Sequence, residues 1–359
     1  MTVAVLGAGA GGLSAIVELS LAGHDVALWN RNPETLVSHC PAGEIHYRGV
    51  LGEGSVSPAM VTTDLEKALN AAEVVVICLP SLVHGQLFAD LANLRCTTPV
   101  ILNPGHTGGA LHLRRVFTQS GAALPPVSEF STLTYVARVD PQGRVNTTNR
   151  ARQVRAACLP GGNRALEWGR QLFPGVSEVS DVLASSLSNV NLVLHPPGAI
   201  LGAAWVEATS GDFTFYVQGM TPGVGRVMQA LDSERLAVAK AFGHVLPPLL
   251  QEMAAIGTVD SAAATEGALV TAIRGGTANS SISAPNSFNH RYYQEDLAFG
   301  LLPFVALARL ARVPVPVASA LLQLGGTAVG GQILTNGLDS ERLGLDDLDL
   351  QSLLASVRN

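Results

Sequence analysis

Thr2-Val3-Ala4-Val5-Leu6-Gly7-Ala8-Gly9-Ala10-Gly11-Gly12 is the stretch that decides the architecture of this 359-residue chain. A short apolar, β-branched run leads directly into glycines spaced G-x-G-x-x-G. Residues 11–22 then repeat their apolar side chains at helical spacing and stop at Gly23, a C-cap position. The glycine pattern alone is common; a strand before it and a helix after it make it a dinucleotide-binding turn. Gly7 permits the tight turn, Gly9 lets the backbone approach a pyrophosphate, and Gly12 allows the helix to pack closely on the strand. The helix N-terminus then faces the phosphates.

Working outward, strand candidates recur at 3–6, 25–29, 74–78, 100–102, 131–138 and 154–159, with helices at 11–22, 65–70 and 84–94. Such alternation builds a parallel sheet covered by helices. Thr63 and Asp64 precede the second of these helices, and Thr63 with Glu66 has the spacing of a capping box. After residue 180 the strand pattern stops. Mostly apolar helical stretches take over at 181–194, 225–243, 247–255 and 304–311. The expected fold is α/β: a Rossmann-type parallel-sheet domain over 1–180, followed by a mainly α-helical domain over 181–359.

Composition narrows the function. The net charge is −6 and the basic residues are scattered, so there is no electrostatic footprint for nucleic acid or an anionic membrane. No run of apolar residues reaches the length of a membrane span. The chain begins on a strand rather than on a basic region with a long apolar segment, which argues against a signal or transit peptide and for the cytoplasm. Cys40, Cys78, Cys96 and Cys158 are far apart without a CxxC pair, as expected for reduced, mostly buried thiols and no metal site. The expected partner is a small molecule. The sequence leaves an interlocked homodimer open.

Candidate site residues fall in both halves. The second strand ends in Leu28-Trp29-Asn30-Arg31-Asn32, where an acidic residue would hold the ribose hydroxyls of NAD. Asn30 is neutral and Arg31 can grip a 2′-phosphate, so NADP(H) is favoured, with NAD(H) open. Leu79-Pro80-Ser81 and Asn103-Pro104-Gly105 follow strands at their carboxyl ends, where ligands bind in open α/β sheets; Pro80, Asn103 and Gly105 are cofactor-site candidates. In 181–194 and its continuation, Ser188, Asn191 and His195 are spaced i, i+3, i+7 and make one polar stripe on a helix ending at Pro196-Pro197. The stripe is read as lining a wet cleft or touching ligand. His290-Arg291-Tyr292-Tyr293-Gln294-Glu295-Asp296 is dense in charge for this chain. Arg291 can hold a substrate carboxylate, and Asp296 can either orient His195 or cap the following helix. Phe213, Phe215 and Tyr216 read either as a side-chain pocket or as core.

The glycine turn, Asn103-Pro104-Gly105 with Thr107-Gly108-Gly109, the Ser-x-x-Asn-x-x-x-His-Pro stretch around His195, and Arg291 with Asp296 together resemble the octopine/opine dehydrogenase family over nearly the whole chain. The resemblance implies an NAD(P)H-dependent reductive condensation of an amino acid with a 2-oxo acid, commonly pyruvate, to a secondary-amine dicarboxylate. It also implies that His195 and Asp296 are the catalytic pair and that Arg291 is the carboxylate clamp; the polar stripe adds Ser188 and Asn191 as substrate-site candidates. Two rival readings remain: a two-domain reductase that forms an alcohol, and a non-catalytic dinucleotide sensor. The first commonly uses a lysine near the start of the helical domain, whereas the lysines here are Lys67 and Lys240. The second has no need of a proton donor and a clamp.

Overall fold

In the computed structural model, which describes residues 1–266, 269–276 and 280–358, the chain divides into two units. Residues 267, 268, 277–279 and 359 of the expected helical domain lie outside the described residues. The first unit holds Met1–Gly105 and Val116–Val182, the second His106–Arg115 and Leu183–Arg358. The second unit therefore takes in a segment, His106–Arg115, that a single boundary after residue 180 would give to the first.

The first unit is built on an eight-stranded sheet ordered Val176–Glu178, Val154–Cys158, Val127–Phe130, Val100–Leu102, Val74–Ile77, Thr2–Leu6, Asp25–Trp29, Met60–Thr62. All neighbours are parallel except Val127–Phe130 with Val154–Cys158. Residues 3–6 of the strand Thr2–Leu6 and all of Val74–Ile77 are apolar and buried, as strands covered on both faces must be. The chain reverses its winding between these two strands, and the glycine turn opens there, at the carboxyl end of Thr2–Leu6.

A second sheet, ordered Gly54–Val56, Ile45–Gly49, Val145–Arg150, Tyr135–Val139, was not legible from periodicity. Its strands are short, and glycines bound two of them, Gly49 at the end of Ile45–Gly49 and Gly54 at the start of Gly54–Val56. It lies against the helix Ala10–Leu21: the Ser14 and Thr147 hydroxyls are 2.8 Å apart, and Tyr135 and Arg150 both donate to the Glu18 carboxylate. Covered on two sides, this helix buries seven of its residues, Gly12 to Val17 and Leu19. The expected strand 131–138 is thereby corrected. Val127–Phe130 and Tyr135–Val139 belong to different sheets, and residues 131–134 carry the chain from one to the other. The helix Leu65–Leu69 is capped by Asp64, which accepts from the Lys67 N–H, so the Thr63/Glu66 capping box is not formed.

The second unit is helical. Expected helices at 225–243, 247–255 and 304–311 are Pro222–Ala241, Leu249–Ile256 and Leu302–Leu310. The stretch 181–194 is not one helix. Val182–Leu187 ends, residues 188–190 turn, and Asn191–Leu201 begins, running through Pro196 and Pro197. The two prolines cannot give the Leu192 and Val193 carbonyls their i+4 N–H donors. Buried Arg235 ties these helices together: it donates to Asp232, to the Leu187 carbonyl and to the Pro247 carbonyl, while Asp232 accepts from the Leu249 N–H. Among the described residues no single helix is long and apolar enough to cross a membrane, and Cys40, Cys78, Cys96 and Cys158 are free and buried.

Candidate functional site

The dinucleotide turn has the geometry its glycines require. Gly7 sits at φ +123°, and a Cβ there would lie 2.5 Å from the Cys78 carbonyl oxygen. A Cβ on Gly12 would lie 1.9 Å from the Gly7 carbonyl oxygen. A Cβ on Gly9 would meet nothing within 4 Å, so the backbone is open there. Gly9 is also the N-cap of Ala10–Leu21 and has no side chain to consume the first amides of the helix. These features fit a pyrophosphate.

Asn30 is buried, and its Oδ1 accepts from the Ala8 N–H at 3.2 Å while its Nδ2 donates to the Asn32 carbonyl. Its amide braces the glycine turn. Arg31, next to it, is exposed. Pro80 is exposed at the entrance to the short turn Ser81–Val83. Asn103 is fully buried, joined by a cis peptide to Pro104, and its amide both donates to the Thr134 hydroxyl and accepts from the Thr134 N–H. Gly105 is buried, with its N–H on the Phe130 carbonyl. The side chain of Asn103 is thus committed to the loop it brackets.

In the helical unit, His195 and Asp296 are brought together across 101 residues of chain, with Nδ1 2.8 Å from Asp296 Oδ2. Both are at most 5% exposed. A carboxylate can only accept, so Nδ1 carries the proton and the tautomer is set. Nε2 is 2.8 Å from the Tyr216 hydroxyl, which is itself 3.4 Å from the Tyr292 hydroxyl. The Tyr292 ring stacks on the imidazole at 3.8 Å between centroids, with 23° between planes. His195 is therefore fixed at both nitrogens and on one face.

Local sequence explains where Asp296 stands. Arg291–Asp296 is capped by His290, whose Nδ1 accepts from the Tyr292 N–H. The chain then passes through a π-helical turn, Leu297–Leu301, before resuming as Leu302–Leu310. Pro303 has no N–H to give, and the Ala298 carbonyl freed by the wider turn accepts from Leu338 N–H. This turn lies against Leu192, a neighbour of His195 on its own helix. Asp296 makes no side-chain cap to the turn that follows, so of its two open roles the structure realises the pairing with His195.

The break at 188–190 also corrects the polar stripe. Asn191 and His195 share a helix, one turn apart, with Asn191 half-buried at its start. Ser188 lies in the preceding turn and donates its hydroxyl to the Ala184 carbonyl. Arg291 is on the surface with its side chain 48% exposed and one edge on Glu295, Nη2 to Oε2 at 3.0 Å. Burial opposes its charge, but Glu295 and Asp296, with smaller help from Tyr292 and Tyr216, hold its pKa above the ordinary arginine value. The other Glu295 oxygen is 3.1 Å from His106 Nε2, and both groups are buried.

Sequence reasoning did not assign His106, Glu295 or a polar role for Tyr216. The Arg291/Glu295 spacing of i, i+4 was visible, whereas His106 and Tyr216 reach the cluster only through tertiary packing.

Two family models match. One described as NAD-dependent glycerol-3-phosphate dehydrogenase N-terminus covers residues 2–104, and one described as NAD/NADP octopine/nopaline dehydrogenase, alpha-helical domain, covers residues 178–329. An opine dehydrogenase of Arthrobacter sp. (strain 1C) is 32% identical over 359 residues, covering 99% of this chain and 98% of the relative. Among solved structures, octopine dehydrogenase with NADH and L-arginine superposes with a TM-score of 0.75 at 20% identity, covering 100% of this chain and 99% of the other. Yersinopine dehydrogenase with NADP+ gives 0.77 at 16% identity, covering 99% of each chain. A relative that similar along the whole length, together with a Rossmann unit and a helical unit in the same order, means that the chain belongs to the opine dehydrogenase family of NAD(P)-dependent oxidoreductases.

Proposed function

We infer that the His195 cluster is the catalytic centre at which this enzyme carries out its reaction, the NAD(P)H-dependent reductive condensation of the amino group of an amino acid with a 2-oxo acid. The observation that carries the assignment is the two-sided hold on His195, with Asp296 at Nδ1 and a hydroxyl at Nε2 in a buried setting. Octopine dehydrogenase structures holding NADH with L-arginine, or with pyruvate, support the substrate classes.

The chain's own residues then take these roles. Asp296 holds the imidazole in one tautomer and stabilises the positive charge that develops when His195 is protonated. His195 supplies the proton needed when the adduct of amine and oxo acid loses water to give an imine. Arg291, anchored by Glu295 along one edge, offers its remaining N–H groups to a substrate carboxylate. Asn191, one turn before His195 and half-buried, serves the substrate site in this reading, whereas the Ser188 hydroxyl donates to the Ala184 carbonyl. Gly7, Gly9, Gly12 and the helix start hold the dinucleotide; when bound, its reduced nicotinamide supplies the hydride that turns the imine into a secondary-amine dicarboxylate. Exposed Arg31 beside neutral Asn30 favours NADP(H) over NAD(H).

The test is NADPH and NADH oxidation by amino acids paired with 2-oxo acids, with mass spectrometry of the product. An amine-dependent rate and a secondary-amine product are expected. His195→Ala should lower turnover by roughly a hundredfold to ten-thousandfold while nucleotide binding persists. Arg291→Ala should raise KM for the oxo acid, and Arg31→Ala should erode the preference for NADPH. Oxidation that ignores the amine would sink the reaction proposed, and loss of NADPH affinity in Arg291→Ala with unchanged use of the oxo acid would remove the clamp.

A further inference from the structure

His195 has no open nitrogen. Nδ1 is taken by Asp296, and Nε2, the atom from which an acid would act, lies 2.8 Å from the Tyr216 hydroxyl. One ring face is covered by Tyr292 at 3.8 Å, and the rings of Phe215 and Tyr216 meet the imidazole edge-on at 6.2 and 6.3 Å. The imidazole is 5% exposed, Tyr216 5% and Tyr292 4%. For a substrate oxygen to reach Nε2 directly, the Tyr216 phenol would have to leave a packed aromatic cluster. Moving a proton through the phenol requires only that two hydrogen bonds exchange their covalent partners.

We propose that Tyr216 is a further catalytic residue of this enzyme, whose hydroxyl passes the proton between His195 Nε2 and the substrate oxygen. The inference rests on the assignment of His195 as the acid. Protonated His195 donates through Nε2–H to the Tyr216 oxygen. As the Tyr216 O–H proton moves to the hydroxyl of the amine adduct, the C–O bond of that adduct breaks and water leaves. The Nε2 proton moves to the phenol oxygen in the same step. One N–H and one O–H bond break at the protein, one O–H forms at Tyr216 and one at the departing water, and His195 is left neutral with its Nδ1–H on Asp296. No charge rests on the phenol. Solvent restores the proton to the imidazole, and the reverse sequence serves the oxidative direction. The Tyr292 hydroxyl, 3.4 Å from that of Tyr216, is placed to orient it.

A relay moves two protons in one step, whereas direct donation moves one. The solvent-isotope proton inventory of the wild-type enzyme, measured on single-turnover product formation in mixtures of light and heavy water, should therefore curve. In Tyr216→Phe, which keeps the ring, the rate should fall at least about tenfold and the inventory should straighten. Thermal unfolding and NADPH binding should match wild type. In the protein without nucleotide or substrate, the 15N signal of His195 Nε2 should lose the signature of its hydrogen bond. A straight inventory in the wild type overturns the relay whether or not the variant folds. A Tyr216→Phe rate within about twofold of wild type, or a slower rate with the curvature kept, overturns it as well. If His195→Ala is inactive while Tyr216→Phe is normal, the relay alone falls; if His195→Ala retains its rate, the assignment of His195 falls and the relay with it.

Discussion

A single Cβ separates two kinds of glycine in the dinucleotide turn. The position of Gly12 forbids a side chain, because the added carbon would sit 1.9 Å from the Gly7 carbonyl oxygen. Gly9 has an extended backbone, φ −77° and ψ 173°, that any residue can adopt, and open space where the Cβ would go. Gly12→Ala should therefore weaken folding of the first unit. Gly9→Ala should leave its unfolding within about 0.5 kcal/mol of wild type and still reduce dinucleotide affinity, because the methyl occupies space a pyrophosphate needs. Chemical denaturation and nucleotide titration of the two variants separate these effects. A Gly9→Ala protein that binds NADPH and NADH as wild type does would show that the cradle is elsewhere. The strand, glycine turn and helix start were legible in sequence because they are local. The bracing of that turn by Asn30 was not, since the Ala8 N–H it accepts from is twenty-two residues away.

Arg235 shows how elements are fixed before any chemistry occurs. It is 2% exposed on Pro222–Ala241, and its guanidinium satisfies two backbone carbonyls and Asp232, which in turn accepts the first N–H of Leu249–Ile256. Removing one partner of a buried pair strands the other, so Arg235→Ala should destabilise the helical unit by about 3–5 kcal/mol. The Leu187 carbonyl, which precedes the 188–190 break leading into the His195 helix, would lose its donor as well. Denaturant unfolding measures the loss; a change below about 1 kcal/mol would mean the network contributes little. Element type in this unit was readable from apolar periodicity, but two interruptions were not. The break before Asn191 and the π-turn after Asp296 depend on where distant partners such as the Leu338 N–H are found.

At the scale of the whole molecule, pH acts on stability through groups that the fold keeps from water. Burial, with Arg342 adding to it and Asp339 opposing, pushes the His112 pKa down to about 4 from an ordinary 6.5. The fold therefore holds this imidazole neutral, while the unfolded chain takes up a proton as pH drops below about 6.5. In the interval between the two values the unfolded state binds more protons, so stability falls as pH falls, by up to about 3 kcal/mol. Above that interval the contribution is fully present. His112→Gln should flatten the thermal-unfolding curve between pH 7 and pH 4 relative to wild type; parallel curves would deny His112 the role. What the sequence determined by itself was local: the strand, turn and helix of the dinucleotide site, the passage from alternating elements to helices, and the residue types able to clamp a carboxylate and move a proton. Those follow from periodicity, glycine spacing and side-chain chemistry, each readable within one or two turns of chain. Tertiary structure decided the rest. Packing put Val127–Phe130 and Tyr135–Val139 in different sheets, spent the amide of Asn103 on Thr134, and brought Asp296 and Tyr216 to opposite nitrogens of His195. Partnership between groups 21 and 101 residues apart depends on which helix faces pack together, and no local pattern carries that choice.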